Sequence, residues 1–276
     1  MKKTPVPFYI FLLLFSFIST NLYADTLRLA TTTSTENSGL LNVLIPLFEK
    51  DSGHKIHVIA VGTGKALRMG EAGDADVLLV HSRQAEEKFI ADGHGVNHRS
   101  VMYNDFVIVG PKNDPAGIRG QKDSVVALKK IATSKNLFIS RGDNSGTHKK
   151  EQALWKQAMT MPSDKWYREA GQGMGKVLQM ASELSAYTLT DRGTWLSLKS
   201  TSSLEILVAG DKRLFNPYGI IAINPEKYHG IKYLAAMSFI AWLTSPFAQQ
   251  QIAQFKINNE VLFIPMAVEN KQLSKK

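Results

Sequence analysis

Short apolar runs alternate along the chain with segments of helical periodicity. The pattern predicts strands at 27–30, 55–61 and 76–80, and helices at 65–72 and 84–92. Between the first two strands, one helical face carries the apolar residues Leu40, Leu41, Leu44, Ile45 and Phe48, although Pro46 within it should kink or weaken the helix. Strands separated by helices of this length indicate βαβ units and a mostly parallel sheet.

Two apolar segments interrupt this rhythm, at 103–111 and 215–225. Between them the pattern predicts a second α/β series, with strands at 137–140, 186–190 and 204–208 and helices at 124–133, from Thr147 and from Met174. Helices at 231–243 and 246–255 follow. We therefore expect an α/β fold of two Rossmann-like lobes joined by two crossover strands, with 25–108 plus 217–276 as lobe one and 109–216 as lobe two. One continuous doubly wound domain is the alternative.

Residues 1–24 have the plan of a secretory signal peptide. Lys2 and Lys3 precede an apolar run at 8–18 that is short for a membrane span, and Ala24 is a plausible last residue before cleavage. An uncleaved anchor is the alternative. The chain has no cysteine, so we expect no disulfides, and no cysteine is present to carry a lipid anchor at the mature N-terminus. These features predict an exported protein that is soluble in the periplasm.

The formal charge of the chain favours a protein that meets anions. It is +9, and it becomes +7 without the two lysines of the leader. The basic residues are scattered, whereas nucleic-acid readers concentrate them in a stripe with interleaved aromatics. We therefore expect no nucleic-acid partner.

Polar residues gather where predicted strands give way to helices. Five hydroxyl residues follow the first strand at 31–35, and further junctions lie at 61–67, 80–84, 140–150 and 190–195. Helix starts present unpaired N–H groups, hydroxyls add uncharged donors, glycines allow close approach and arginine adds a forked charged donor. Together they predict a site for a small tetrahedral oxyanion between the lobes, although any single hydroxyl could be a helix cap. A nucleotide P-loop does not fit 61–67, because Ile59 and Ala66 stand where its pattern needs Gly and Ser or Thr.

Catalytic and metal-binding patterns are weaker. The sequence has neither a G-x-S-x-G elbow nor an H-E-x-x-H pair. Its histidine pairs, His54 with His57 and His94 with His98, have no carboxylate placed to complete a metal set, so no metal is predicted. His148 is the general base nearest the hydroxyl clusters, and it keeps open the alternative of an exported hydrolase or transferase that acts on oxyanion esters.

Six segments resemble the periplasmic tungstate-binding proteins of TupA-type ABC importers. They are LATTTSTENSGLL, VGTGKAL, GDADVLLVHSR, YNDFVIVGP, SRGDNSGTHKKE and LTDRGTW, in the family's order. The resemblance implies a type II periplasmic binding protein, monomeric and without catalysis or cofactor, that delivers its ion to a membrane permease. It implies the ligand donors Thr32, Thr33, Ser34, Thr63 and Gly64 from lobe one, and Arg141, Ser145, Gly146 and Thr147 from lobe two. Ser82 is a weaker candidate.

The chemistry of tungstate agrees with a pocket made of donors. Tungstate is a tetrahedral dianion that only accepts hydrogen bonds, whereas phosphate can carry a proton and gains from an acceptor carboxylate. Asp143 is the acid nearest to the cluster, so phosphate should bind poorly if Asp143 points away or pairs with Arg141. Molybdate, sulfate and phosphate remain alternative ligands, and only the resemblance separates tungstate from molybdate. A sensor domain for a membrane kinase is a further alternative, although no second apolar span follows the lobes.

Overall fold

The computed structural model describes residues 24–143, 145–163 and 165–267, so the predicted leader lies outside it except for Ala24. Its strands are β1 (Thr26–Thr32), β2 (Lys55–Val61), β3 (Val77–Val80), β4 (Gly95–Pro111), β5 (Phe138–Ser140), β6 (Tyr167–Glu169), β7 (Thr188–Asp191), β8 (Leu204–Val208), β9 (Phe215–Ile223), β10 (Lys256–Ile257), β11 (Glu260–Val261) and β12 (Ile264–Pro265). Its α-helices are α1 (Thr33–Asn37), α2 (Leu40–Ser52), α3 (Thr63–Glu71), α4 (Arg83–Ala91), α5 (Ser124–Ser134), α6 (Gly146–Gln157), α7 (Met174–Glu183), α8 (Arg192–Leu198), α9 (Tyr233–Leu243) and α10 (Pro246–Gln254).

The first sheet has the strand order β12-β4-β9-β3-β1-β2. Strands β2, β1 and β3 run parallel, because a helix returns the chain to the same edge after β1 and again after β2. The expectation of a mostly parallel sheet is nevertheless wrong. The β3–β9, β4–β9 and β4–β12 ladders are antiparallel, since β4 and β9 carry the chain between the two sheets instead of belonging to βαβ units.

Strand β4 belongs to both sheets. Up to Asp105 it pairs with β9, and from Phe106 onward it pairs with β7 and β8 of the second sheet. Strand β9 enters the first sheet at Phe215, opposite Asp105. Two crossover strands thus link the two halves, which confirms the predicted two-lobed α/β fold. The lobe limits at 108 and 217 stay predictions.

Each sheet is covered by helices on both faces, and the alternation along its strands sorts side chains between two cores. In the first sheet, Leu29 packs with α2 and α9, whereas its neighbour Ala30 packs with α3 and α4. In the second, Ile108 packs with α5 and α6, whereas Val107 packs with α7 and α8. Burial of both faces stabilises each sheet, so the ends of its strands can carry polar loops.

Helix α2 continues through Pro46 without interruption. Proline cannot donate to the carbonyl one turn earlier, that of Asn42, but both residues are exposed and water can bond that carbonyl. The apolar face opposite, including Leu44 and Phe48, is buried and holds the helix in place. Among the described residues, no helix is long and apolar enough to cross a membrane.

Candidate ligand-binding cleft

A cavity of about 600 Å³ opens between the two sheets, at the carboxyl ends of their strands. The structure brings eight of the nine predicted site residues to its wall: Thr32, Thr33, Ser34, Thr63, Arg141, Ser145, Gly146 and Thr147. Gly64 and the weaker candidate Ser82 are not part of the wall. Gly64 lies one residue inside α3, where a side chain would approach Arg68 instead of the cavity.

The hydroxyl run at 31–35 divides into structural and cleft-facing members. Thr31 is fully buried, and its hydroxyl donates to the carbonyl of Leu79 at 2.7 Å. Thr32 caps α1, a helix that the sequence pattern did not predict, by accepting from the amide of Thr35 at 3.2 Å. Thr33 and Ser34 are exposed at the cavity wall. Two hydroxyls at the start of α1 are therefore open to a ligand.

The loop before α6 carries the permanent positive charge of the cleft. Arg141 donates to Oδ2 of Asp143 from Nε at 3.1 Å and from Nη2 at 2.5 Å. Oδ1 of Asp143 accepts from the amide of Ser145, whose own hydroxyl caps α6 by accepting from the amide of His148. Burial opposes ionisation of Asp143, but the bonds from Ser145 and Arg141 outweigh it and hold its pKa below the usual value. The carboxylate thus stays charged and fixes the arginine.

Ser140, His148 and Glu169 have the composition of a catalytic triad but lack access. The Ser140 hydroxyl lies 3.2 Å from Nδ1 of His148, and Nε2 of His148 is 4.0 Å from Glu169. Ser140 is completely buried and does not line the cavity. A nucleophile must reach its substrate, so this arrangement does not favour the ester-cleaving alternative.

Four cleft residues that sequence reasoning missed form a hydrogen-bonded chain across the crossover strands. The Tyr218 hydroxyl accepts from the side-chain Nδ2 of Asn104 at 3.3 Å, and Oδ1 of Asn104 accepts from Nδ2 of Asn216 at 2.8 Å. Oδ1 of Asn216 lies 3.1 Å from Nδ1 of His81, whose Nε2 lies 3.3 Å from the Ser34 hydroxyl. Burial lowers the pKa of His81, so the ring is a neutral member of the chain. The available signal was an asparagine next to the first aromatic residue of each apolar crossover segment, Asn104 after Tyr103 and Asn216 after Phe215.

Three helices of nine or more residues, α3, α6 and α7, begin at the cavity. The third is preceded by Gly173, and this glycine-rich start was also missed by the sequence reasoning. Asp191, at the end of β7, is the one carboxylate in the wall as described, and both its oxygens accept from Thr194. Arg141 is the one permanent cation of that wall. The cleft therefore offers N–H and O–H donors with little net charge, which suits an acceptor-only anion.

Metal binding has no comparable support. Within the residues that the structure describes, no group of three or more His, Asp or Glu side chains could hold a metal ion. His98 lies on β4, and its Nε2 is 2.9 Å from the carboxylate of the buried Glu86.

Comparison with known proteins identifies the family of this chain. A model of the PBP superfamily domain matches residues 21–246. The tungstate-binding protein TupA of Peptoclostridium acidaminophilum is 53% identical over 229 residues, which cover 82% of this chain and 80% of that protein. The chain belongs to the TupA family of periplasmic binding proteins. The predicted family is thereby confirmed.

Solved structures of the family agree with the fold. The tungstate-binding protein TupA from Desulfovibrio alaskensis G20 superposes with a TM-score of 0.85 at 48% identity, covering 89% of this chain and all of the other. The tungstate ABC transporter protein from Geobacter sulfurreducens gives a TM-score of 0.74 at 57% identity, covering 83% of this chain and 98% of the other. Both superpositions support the α/β fold described above.

Proposed function

We propose that the protein is an extracytoplasmic solute-binding protein that captures tungstate in its cleft for an ABC importer. The observation that carries the proposal is the set of donors on the cavity wall, with Arg141 as the single permanent cation of its described residues. The two relatives named as tungstate-binding proteins are identical to this chain at about half of the aligned residues. We infer export to the periplasm through the leader at 1–24, action as a monomer, and a membrane permease as partner.

The ligand donors that we propose are those of the hydroxyl run, the start of α3 and the loop before α6: Thr32, Thr33, Ser34, Thr63, Arg141, Ser145, Gly146 and Thr147. The first two elements belong to one lobe and the third to the other, so an ion between them would hold the lobes together. Because these groups supply both charge and directed donors, we expect no cofactor and no chemical turnover.

The pairing of Asp143 favours tungstate over phosphate. Both oxygens of Asp143 already accept hydrogen bonds, from Arg141 and Ser145, and both oxygens of Asp191 accept from Thr194. A protonated phosphate would bring a donor to carboxylates that are already engaged, whereas tungstate brings acceptors only. The cleft supports no such distinction from molybdate.

Titration calorimetry of the mature protein against tungstate, molybdate, sulfate and phosphate tests the proposal. Tungstate should bind tightly and phosphate weakly. Replacing Arg141 by Ala should weaken tungstate binding at least about tenfold, because a charged hydrogen bond contributes about 1.5–3 kcal/mol. Arg119→Ala is the matched control, since Arg119 lies outside the cleft and pairs with Glu205 on the surface. Tight phosphate binding without tungstate binding would overturn the assignment, and ester hydrolysis lost in His148→Ala would favour an enzyme.

A further inference from the structure

A buried carboxylate lies directly behind the loop that carries Arg141. Glu151 is on α6, 1% exposed, and it does not line the cavity. Burying a carboxylate costs free energy unless hydrogen bonds replace its water. The proposed binding of an oxyanion does not use Glu151 directly, so its presence in the core of this lobe calls for another role.

The hydrogen bonds of Glu151 set the direction of a neighbouring hydroxyl. Oε1 accepts from Nε1 of Trp155 at 3.1 Å and from the hydroxyl of Tyr167 at 2.8 Å, and Oε2 accepts from the hydroxyl of Ser140 at 2.9 Å. A serine hydroxyl has one hydrogen. Because Ser140 gives that hydrogen to Glu151, its lone pairs are turned towards its other neighbours.

Those neighbours belong to the cleft loop and its helix. The amide of Gly142 donates to the Ser140 hydroxyl oxygen at 3.3 Å, and Nδ1 of His148 lies 3.2 Å from the same oxygen. Gly142 follows Arg141 directly and has a left-handed φ of 60°. The turn that presents Arg141 is therefore tied to a hydroxyl whose orientation depends on Glu151.

We propose that Glu151 is a positioning residue for the oxyanion site: its ionised carboxylate orients the Ser140 hydroxyl, and that hydroxyl holds the loop that presents Arg141. The inference rests on the proposed function. A protonated Glu151 carries a hydrogen of its own, which competes for the lone pairs of Ser140 that the Gly142 amide uses. Ligand affinity therefore depends on the ionisation of a residue that the ligand does not touch.

The ionisation changes in the neutral range. Burial raises the pKa of Glu151 to about 7, against the opposing effect of the bonds from Tyr167, Ser140 and Trp155. The titratable groups that face it are Tyr167 and Glu169 from β6 and, through Ser140, His148 from its own helix. Affinity should fall as the pH falls below about 7, because the protonated form accumulates there.

The sign of the coupling separates positioning from simple electrostatics. An oxyanion that acted only through its charge would favour protonated Glu151 and raise its pKa. If the ionised form holds the loop for the ligand, ligand binding must instead lower the pKa of Glu151, because linkage is reciprocal.

Trp155 provides the reporter, since its indole N–H donates to Glu151. The indole ¹H–¹⁵N resonance of Trp155 in the mature protein, identified by its loss in Trp155→Phe, is followed from about pH 6 to about pH 9 with and without micromolar tungstate. The expected midpoint is near neutrality without ligand and lower with it. Calorimetric affinity should fall by up to about tenfold per pH unit below the ligand-free midpoint. A midpoint that tungstate leaves unchanged or raises overturns the inference.

Two glutamate variants complete the test. Glu151→Gln should weaken tungstate binding at pH 8 and remove its pH dependence. Glu169→Gln alters the neighbouring acid but keeps the carboxylate that accepts from the Ser140 hydroxyl, so it should retain the coupling. Failure of Glu151→Gln to fold leaves the wild-type titration decisive. Absence of tungstate binding by the wild type would overturn the proposed function itself. Binding that is tight but indifferent to Glu151 ionisation would overturn this inference alone.

Discussion

Replacement of Gly142 by alanine should disrupt the cleft loop for two separable reasons. Gly142 has a φ of 60°, a conformation that side chains with a Cβ rarely adopt. A Cβ added there would lie 2.5 Å from Cβ of Glu169 and 3.2 Å from its Cα. The second of these atoms is backbone, so the neighbour cannot move aside by a simple rotamer change, and the loop or β6 must shift.

The cost follows from the two effects together. A left-handed φ costs a residue with a Cβ about 1–2 kcal/mol. Insertion of a methyl group into occupied space costs about 1–3 kcal/mol more. Gly142→Ala should therefore lower the free energy of unfolding by roughly 2–5 kcal/mol. Because Arg141 precedes the shifted residue, tungstate affinity should also fall, by at least about tenfold.

Gly117→Ala isolates the first effect. Gly117 has a φ of 62° and nothing within 4 Å of its added Cβ, and it does not line the cleft. Urea unfolding followed by tryptophan fluorescence should give a loss of about 1–2 kcal/mol for this variant, with tungstate binding unchanged. Equal losses in the two variants would refute the argument from the Glu169 contact, and unchanged binding in Gly142→Ala would refute the role of the loop.

Three further predictions concern stability and the division of roles around the cleft. The pKa of Glu151 is raised from 4.5 to about 7. The stability that Glu151 contributes is therefore complete below pH 4.5 and falls by roughly 3 kcal/mol as the pH rises through 7. Glu151→Gln should flatten this part of the pH profile of urea unfolding. Thr31→Val should lower the free energy of unfolding by about 1 kcal/mol and leave tungstate binding unchanged. Ser34→Ala should weaken tungstate binding and leave the free energy of unfolding unchanged, as urea unfolding and calorimetry of both variants would show. Arg28→Ala leaves the fully buried Asp76 without its countercharge and should cost roughly 2–3 kcal/mol in urea unfolding, less than for a fully buried pair because Arg28 is partly exposed.

The secondary structure that the sequence predicts best lies where one face of an element packs against the core. Strands β2 and β8 have the predicted limits, and α5 and α7 begin at the predicted residues. Helix α1 was missed because hydroxyl and β-branched residues favour caps and strands over helices. Its cap by Thr32 and its burial of Thr35 come from packing at the cleft, which local propensity does not contain.

Hydrophobic periodicity could predict neither the relative direction of the strands nor the side-chain contacts between distant segments at the site. An apolar run reveals a strand but not whether its partner is parallel, so the antiparallel ladders of β4 and β9 were not predicted. The predicted strand ends did point to eight of the residues that line the cleft. His81, Asn104 and Asn216 were missed because each contacts the next only across distant parts of the chain, and single polar residues in apolar segments have many uses.

The predicted effects of Glu151 on stability and on binding have opposite signs, and this opposition explains why a carboxylate is a suitable residue at the position. Above neutral pH its ionised form lowers stability, because burial disfavours the charge. A leucine or methionine would avoid that cost, but neither could accept the hydrogen of Ser140 and so turn its lone pairs towards the amide of Gly142. Glutamine could accept that hydrogen, yet its own amide would add donors to a space that already holds those of Trp155 and Tyr167. Only an acceptor without a hydrogen satisfies all three neighbours, and an ionised carboxylate is the side chain that provides it.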